Sequence, residues 1–263
     1  EVRDLAGSGV VEVSLLGQNV NSYGRDIYGT PRFADLLLAL DGIPGLRRVR
    51  YTSPHPKDFR EPVARAMAES SVVCEHLHLP VQSGSTRVLK EMKRSYNRER
   101  YLGKVAMARS IVPGLALTTD IIVGFPGETD EDFEETLSLV EEVRFDAAYT
   151  FQYSPRPGTV AGARDDQVPK AVVQERFDRL VAAQERISHD HNRAVVGMVA
   201  EVLVEGPSKK DPTRITGRTR TNKLVHFMDT AGPGEFREVL VTGAAPHHLE
   251  GEVLVPSGAA VRP

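Results

Sequence analysis

The chain has 263 residues, 40% hydrophobic and 26% charged, which is enough apolar material for one large domain or for a large one with a small one. The formal charge is −3 and the pI about 6.3, so any affinity for nucleic acid must come from a local basic patch rather than a global field. A single cysteine, Cys74, excludes an internal disulfide and any cluster or zinc site built from thiolates of these residues. No apolar run nears the ~20 residues of a membrane span, and Glu1-Val2-Arg3-Asp4 lacks the apolar core of a signal peptide. The expectation is a cytoplasmic protein with no membrane partner. Because the chain opens on Glu1, it is also expected to be a fragment or a processed form.

Short runs of valine, isoleucine and leucine alternate with helical patterns at the spacing of βα units in a parallel sheet. Strands are expected near Val10–Leu16, Arg47–Thr52, Glu75–Leu79, Leu115–Val123 and Ala147–Tyr153. Helices are expected between them, near Arg32–Leu40, Asp58–Glu69, Thr86–Lys93, Arg98–Ser110 and Asp130–Val143. Thr129 and Asp132 have the spacing of a capping box, and Glu131 adds a favourable charge at the same helix start.

Each strand also alternates between an apolar and a polar face. The polar positions are Glu12 and Ser14, then Arg48, Arg50 and Thr52, then His76 and His78, then Thr118 and Asp120, then Thr150 and Gln152. The apolar face must meet the helices, so the polar one is expected to line a cavity inside a curved, partly open barrel. Glu12 and Asp120 would there balance Arg48 and Arg50. His76 and His78 share one side and read as hydrogen-bonding wall residues, since a third metal ligand is lacking. Cys74 reads as a small inert residue near a strand start.

Beyond Pro157-Gly158-Thr159 a long amphipathic helix is expected at Lys170–Arg193, packing as a connector. From Val195 the pattern is all-β, with strands near Val199–Val204, Arg214–Thr219, Leu224–Met228, Phe236–Thr242 and Gly251–Val255, which suits a small barrel. The expected domains are thus 1–160, a connector 161–194 and a barrel 195–258. Lys209, Lys210, Arg214, Arg218, Arg220 and Lys223 crowd together with only Asp211 opposing them. On a small barrel such a run reads as phosphate contact with single-stranded RNA, although elsewhere it is commonly a solvated face. Phe227 could stack on a base or fill the core, and His189, His191, His247 and His248 are expected in solvent.

A parallel barrel gathers its site in the loops after its strands. Five such loops stand out: Leu16 to Gly24, Thr52 to Pro56, Leu77 to Ser85, Asp120 to Glu128, and Tyr153 to Thr159. Gly-Gln-Asn-Val-Asn-Ser-Tyr at 17–23, His-Leu-Pro-Val-Gln-Ser-Gly-Ser at 78–85, Gly-Phe-Pro-Gly-Glu-Thr at 124–129 and Tyr-Ser-Pro-Arg-Pro-Gly-Thr at 153–159 resemble the radical S-adenosylmethionine (SAM) methylthiotransferases. The resemblance covers nearly the whole chain. The Gly-Gln-Asn-Val-Asn element is similar to the MiaB branch, whose substrate is isopentenylated adenosine beside the tRNA anticodon, and the C-terminal barrel resembles a TRAM domain.

The resemblance implies an α/β fold: a partial (β/α) radical SAM barrel with parallel strands, lacking its first strand and cluster loop, followed by a small all-β barrel. It implies SAM and two 4Fe-4S clusters in the parent protein, one to cleave SAM to a radical that takes hydrogen from adenine C2, the other to deliver sulfur. A second SAM then methylates that sulfur. Implied partners are a tRNA anticodon stem-loop and an electron-donor protein, with the protein a monomer. SAM is implied to lie against Gln18, Asn19, Ser53, His78, Gln82, Ser83, Asp120 and Gly124, and the substrate against Tyr153 and Arg156. The family's Gly-Gly-Glu is replaced at Gln18-Asn19, and its cysteine motif is expected just before Glu1, so this chain is expected not to catalyse by itself. Two other readings remain at this point: a methylthiotransferase for threonylcarbamoyl-adenosine, and a non-catalytic RNA-binding module.

Overall fold

In the computed structural model, which describes residues 1–52, 54–209 and 211–254, five parallel strands follow one another in chain order. The first unit runs α1 (Val2–Gly7), β1 (Glu12–Leu15), α2 (Arg25–Tyr28), α3 (Phe33–Leu40), β2 (Arg48–Tyr51), α4 (Glu61–Glu69), β3 (His76–His78), α5 (Thr86–Glu91), α6 (Arg98–Ile111), β4 (Ala116–Val123), α7 (Asp130–Val143), β5 (Ala147–Gln152) and α8 (Lys170–Arg193). The short helices α1 and α2 carry no apolar period that would announce them. Strand β1 pairs with β2, β3 with β4 and β4 with β5, all parallel. A single bridge at Val49 and Val73 joins the two groups, with Val49 N–H donating to Val72 O at 2.8 Å and Cys74 N–H to Val49 O at 3.0 Å. The order is therefore β1-β2-β3-β4-β5, the open arc of a (β/α) barrel.

The helices bury one face of that arc around Leu37, Val49, Leu77, Leu117, Ile121 and Val140. Helix α8 joins the same core through Val173, Leu180 and Ile187, at the helical spacing seen in its sequence. The capping box of α7 is complete: the Thr129 hydroxyl accepts from Asp132 N–H, and the Asp132 carboxylate accepts from Thr129 N–H. Cys74 is buried.

One strand is phased opposite to its sequence pattern. Registered neighbours in a parallel sheet share a face, and Asp120 stands beside Tyr149 and Ile122 beside Phe151. The inner side of β5 is therefore aromatic. Thr150, beside Ile121, turns to the helical side, and Gln152 donates to Gln174 of α8 at 2.8 Å. The expectation that Thr150 lines the cavity is corrected by this register, whereas Gln152, at the strand end, does line it.

The chain divides into two compact units, the second starting at His189. Its strands β6 (Val199–Pro207), β7 (Ile215–Arg218), β8 (Leu224–Phe227), β9 (Phe236–Ala245) and β10 (His248–Val253) close into a barrel in the order β10-β8-β7-β6-β9. Val202, Val225, Phe227, Val239, Val241 and Leu249 fill it, so Phe227 is a core residue and not a stacking surface. The last strand begins at His248, earlier than its pattern indicated, and His248 packs edge-to-face on His226 with ring centroids 5.0 Å apart. His189 and His191 are likewise half-buried rather than solvated. Among the described residues no helix is long and apolar enough to cross a membrane.

Candidate functional site

The inner face of the arc carries a chain of polar contacts. Thr118 Oγ1 lies 3.1 Å from His76 Nε2 and 3.0 Å from His78 Nδ1, and His78 Nε2 lies 3.4 Å from Asp120 Oδ1. A hydroxyl has one proton to give, so a consistent assignment follows: His78 Nε2–H faces Asp120, Thr118 donates to His78 Nδ1, and His76 Nε2–H donates to Thr118. Tyr149 meets His78 edge-on at 5.8 Å. At the other side of the arc Arg50 pairs with Glu12 at 3.1 Å, as expected, whereas Asp120 faces His78 rather than an arginine.

Where β4 and β5 end, this face opens into a cavity of about 740 Å³ whose lining includes Gln82, Arg94, Asp120, Phe151, Tyr153 and Arg156. Gln82 is held there by backbone geometry. Its N–H donates to Asp120 O at 2.8 Å and its carbonyl accepts from Ile122 N–H at 2.9 Å, with φ at 71°, a left-handed conformation costly for a residue with a side chain. Tyr153 continues the strand through its N–H to Val123 O and rests edge-to-face on Phe125, with centroids 5.3 Å apart.

Arg94 enters the same cavity from the coil after α5. Its Nε is buried with no hydrogen-bond partner among the described residues. An orphaned guanidinium N–H in a concave site is a donor waiting for an anionic or carbonyl acceptor. Its charge is also felt nearby: burial pushes the His55 imidazole below its usual pKa, Arg94 adds to that, and Asp58 only partly opposes it.

In the second unit, Lys209, Arg214 and Arg218 line one groove of about 630 Å³ together with His226, His247 and His248. Arg214 pairs with Glu250 at 3.3 Å and Arg218 with Glu205 at 2.9 Å. Lys223 Nζ donates to Asn192 Oδ1 at 2.9 Å, at the end of α8. The basic run is thus opposed in space by acids from other strands, beyond the Asp211 seen in sequence.

A model of the Radical SAM superfamily matches residues 1–140, just over half of the chain. The chain belongs to the radical SAM superfamily. A TRAM domain model matches residues 193–254, the span of the closed barrel. The chain is 54% identical over 270 residues to tRNA-2-methylthio-N(6)-dimethylallyladenosine synthase of Kineococcus radiotolerans, covering 100% of this chain and 52% of that protein. It is 55% identical over 262 residues to the synthase of the same description from Streptomyces coelicolor, covering 97% and 52%. The chain therefore spans about half the length of the curated relatives it matches. Among solved structures, coproporphyrinogen III oxidase of Escherichia coli, a radical SAM enzyme, is similar at 15% identity and a TM-score of 0.47, covering 72% of this chain and 51% of its own.

The radical SAM unit gathers only some of the residues singled out from its sequence. Gln82, Asp120, Tyr153 and Arg156 line one cavity, and His78 joins it through Asp120. Ser83 does not: it is fully buried, with its hydroxyl 3.3 Å from Thr136 Oγ1 and accepting from Ser85 N–H, so it ties the loop to α7. Asn19 is also occupied, donating to Asp58 at 2.7 Å and accepting from His55 N–H at 3.4 Å, which stitches the first loop to the second. Gln18 is exposed beside it. Gly124 has φ 76°, its N–H donates to Glu128 Oε1 at 2.9 Å, and the absence of a side chain there leaves room for Val173 of α8. Ser53 and Lys210 lie outside the described residues. Arg94 is not marked by the strand-end pattern because it follows a helix rather than a strand. Its only signal in the sequence is the basic pair Lys93-Arg94 after α5.

Proposed function

We propose that this chain is the cofactor- and base-holding part of a tRNA methylthiotransferase that acts at C2 of isopentenylated adenosine next to the anticodon. The observation that carries this reading is the identity of 54–55% to synthases of that description along essentially the whole chain. The whole protein's partners are then a tRNA anticodon stem-loop and an electron-donor protein, and it works as a monomer in the cytoplasm. The corresponding division is a partial barrel at 1–160, a connector at 161–194 and a TRAM barrel at 195–258.

The radical SAM superfamily uses SAM and a 4Fe-4S cluster. The cavity residues fit SAM. Its volume is in the range of small-molecule sites, the buried Arg94 Nε lacks an acceptor that a carboxylate supplies, Asp120 and Gln82 suit ribose hydroxyls, and Phe151 and Phe125 offer apolar faces to adenine. Bound there, and given an electron by a cluster, SAM would supply the chemistry that removes a hydrogen from the substrate carbon. Asp120 is oriented by His78, Gln82 is fixed by its strand-like backbone bonds, and the aromatic inner face of β5 offers an apolar surface for a base to cover. The residues present do not fit a cluster, because the one cysteine is buried in the core.

The test is a protein extended to the length of the relatives, reconstituted and incubated with tRNA, followed by mass spectrometry of the nucleosides. Methylthio-isopentenyladenosine is the expected product. Exclusive modification of threonylcarbamoyl-adenosine, or none with both clusters loaded, would overturn the reading. Independently of catalysis, Arg94→Ala should weaken SAM binding about 10- to 100-fold by calorimetry, with Arg94→Lys retaining part of it.

A further inference from the structure

Outside the cavity, one groove of the radical SAM unit carries charge that nothing in the fold uses. It has a volume of about 580 Å³. Lys57 and Arg60 line it from the segment after β2, and Arg100 and Lys104 from successive turns of α6. None of the four side chains forms an ion pair or hydrogen bond with the described residues. The acid in the lining, Glu61, is engaged by Arg65 at 2.5 Å. The nearby Asp58 is held by Asn19 at 2.7 Å, with Arg25 at 3.6 Å. Burial and then Arg60 push the Lys104 pKa down, and Asp58 only partly opposes them, so Lys104 lies in a net positive environment.

Several other arginines of this unit, Arg87, Arg98, Arg164, Arg176 and Arg179, are each neutralised by a carboxylate. Four uncompensated cations in one concave strip repel one another, and an external polyanion relieves that repulsion. The strip is also tied to the cavity. Arg94 lines the cavity and the next residue, Ser95, lines the groove. The groove's Tyr96 and Tyr101 hydroxyls donate to Val81 O at 3.1 Å and Leu79 O at 2.8 Å, on the segment that carries Gln82.

We propose that this groove tracks the phosphates of the RNA strand flanking the base held in the cavity, a second RNA interface separate from the TRAM barrel. The proposal rests on the tRNA reading given above. An RNA strand is favoured over an acidic protein because the four cations line one groove whose Ser95 directly follows the cavity's Arg94 in the chain, an arrangement suited to tracking a backbone that leads to a base.

The experiment measures binding of a labelled anticodon stem-loop RNA to the full chain across a salt series. Changing Lys57, Arg60, Arg100 and Lys104 together to Gln should weaken binding at least ~10-fold at low salt and lower the log–log salt slope by about 0.7 for each phosphate that is no longer neutralised. Arg100→Glu alone, at an exposed position, should weaken it about 3- to 10-fold, which guards against misfolding of the fourfold variant. Unchanged affinity and slope in variants that still bind SAM, beside a wild-type chain that binds RNA, would overturn the groove and leave the tRNA reading standing. Failure of the wild-type chain to bind RNA would overturn both. Intact RNA binding with loss of affinity for poly-L-glutamate would assign the groove to an acidic protein instead.

Discussion

Arg176 of α8 and Glu128 of the loop after β4 meet in a buried ion pair at 2.8 Å, with both side chains almost wholly out of water. Arg176 also donates to the Glu128 carbonyl at 3.2 Å and to Asp130 at 2.7 Å, while Glu128 accepts from Gly124 N–H. Burial raises the Glu128 pKa, and the Gly124 and Arg176 contacts pull it back only in part. The pair therefore fastens the end of β4, and with it the cavity wall, to the long helix.

Breaking one side of such a pair leaves a charge stranded. Arg176→Ala should cost about 3–5 kcal/mol in urea unfolding, whereas Arg176→Met combined with Glu128→Gln should cost clearly less than the sum of the single changes. Additive losses would mean that the two residues act independently.

Gly124 gives a second measurable constraint. Its φ is 76°, and an added Cβ would come 2.5 Å from Val173 Cγ2 and 2.9 Å from Cγ1. Gly124→Ala combines a left-handed backbone with overpacking and should destabilise by about 2–4 kcal/mol. Adding Val173→Ala removes the steric part and leaves the backbone part, so the double change should recover some of the loss against additivity. No recovery would place the whole cost in the backbone.

The capping box predicts an acid-dependent stability. Burial pushes the Asp132 carboxyl up, but hydrogen bonds from Arg87, Ser85 and Thr129 outweigh it and hold the pKa at about 2. The unfolded value is near 3.9, so between roughly pH 4 and pH 2 the unfolded chain binds the extra proton. The contribution is complete above that window and is lost as pH falls through it. Urea midpoints should drop across the window in the wild type and drop less in Asp132→Asn. Parallel curves would assign the acid limb to other carboxylates.

The parallel arc was legible because each βα unit repeats a local period of apolar residues, and helix α8 and the barrel strands follow the same logic. What sequence could not give depends on neighbours far along the chain. The phase of β5 is set by its register with β4, which turns Tyr149 and Phe151 inward, against the intuition that polar residues line a polar cavity. Ser83 and Gln82 are adjacent buried loop polars, and the packing of α7 separates the one that ties the loop down from the one that lines the cavity. Arg94 sits in a coil, where no period marks it.

The acids opposing the TRAM cations were hidden for the same reason, since Glu205 and Glu250 reach Arg218 and Arg214 across strands. This alters which residue should matter most for the proposed RNA contact. A phosphate approaching Arg218 must first displace Glu205, so part of its attraction is spent on breaking an existing pair. Lys209 is exposed in the same groove with no such pair among the described residues. Lys209→Ala should therefore lower the salt slope of RNA binding by about 0.7, and Arg218→Ala by less. Glu205→Gln should tighten binding by releasing Arg218, provided the barrel still melts as the wild type does. A larger effect from Arg218→Ala than from Lys209→Ala would show that Arg218 leaves its carboxylate for the RNA, and that the Glu205 pair is the resting arrangement of a phosphate-binding side chain.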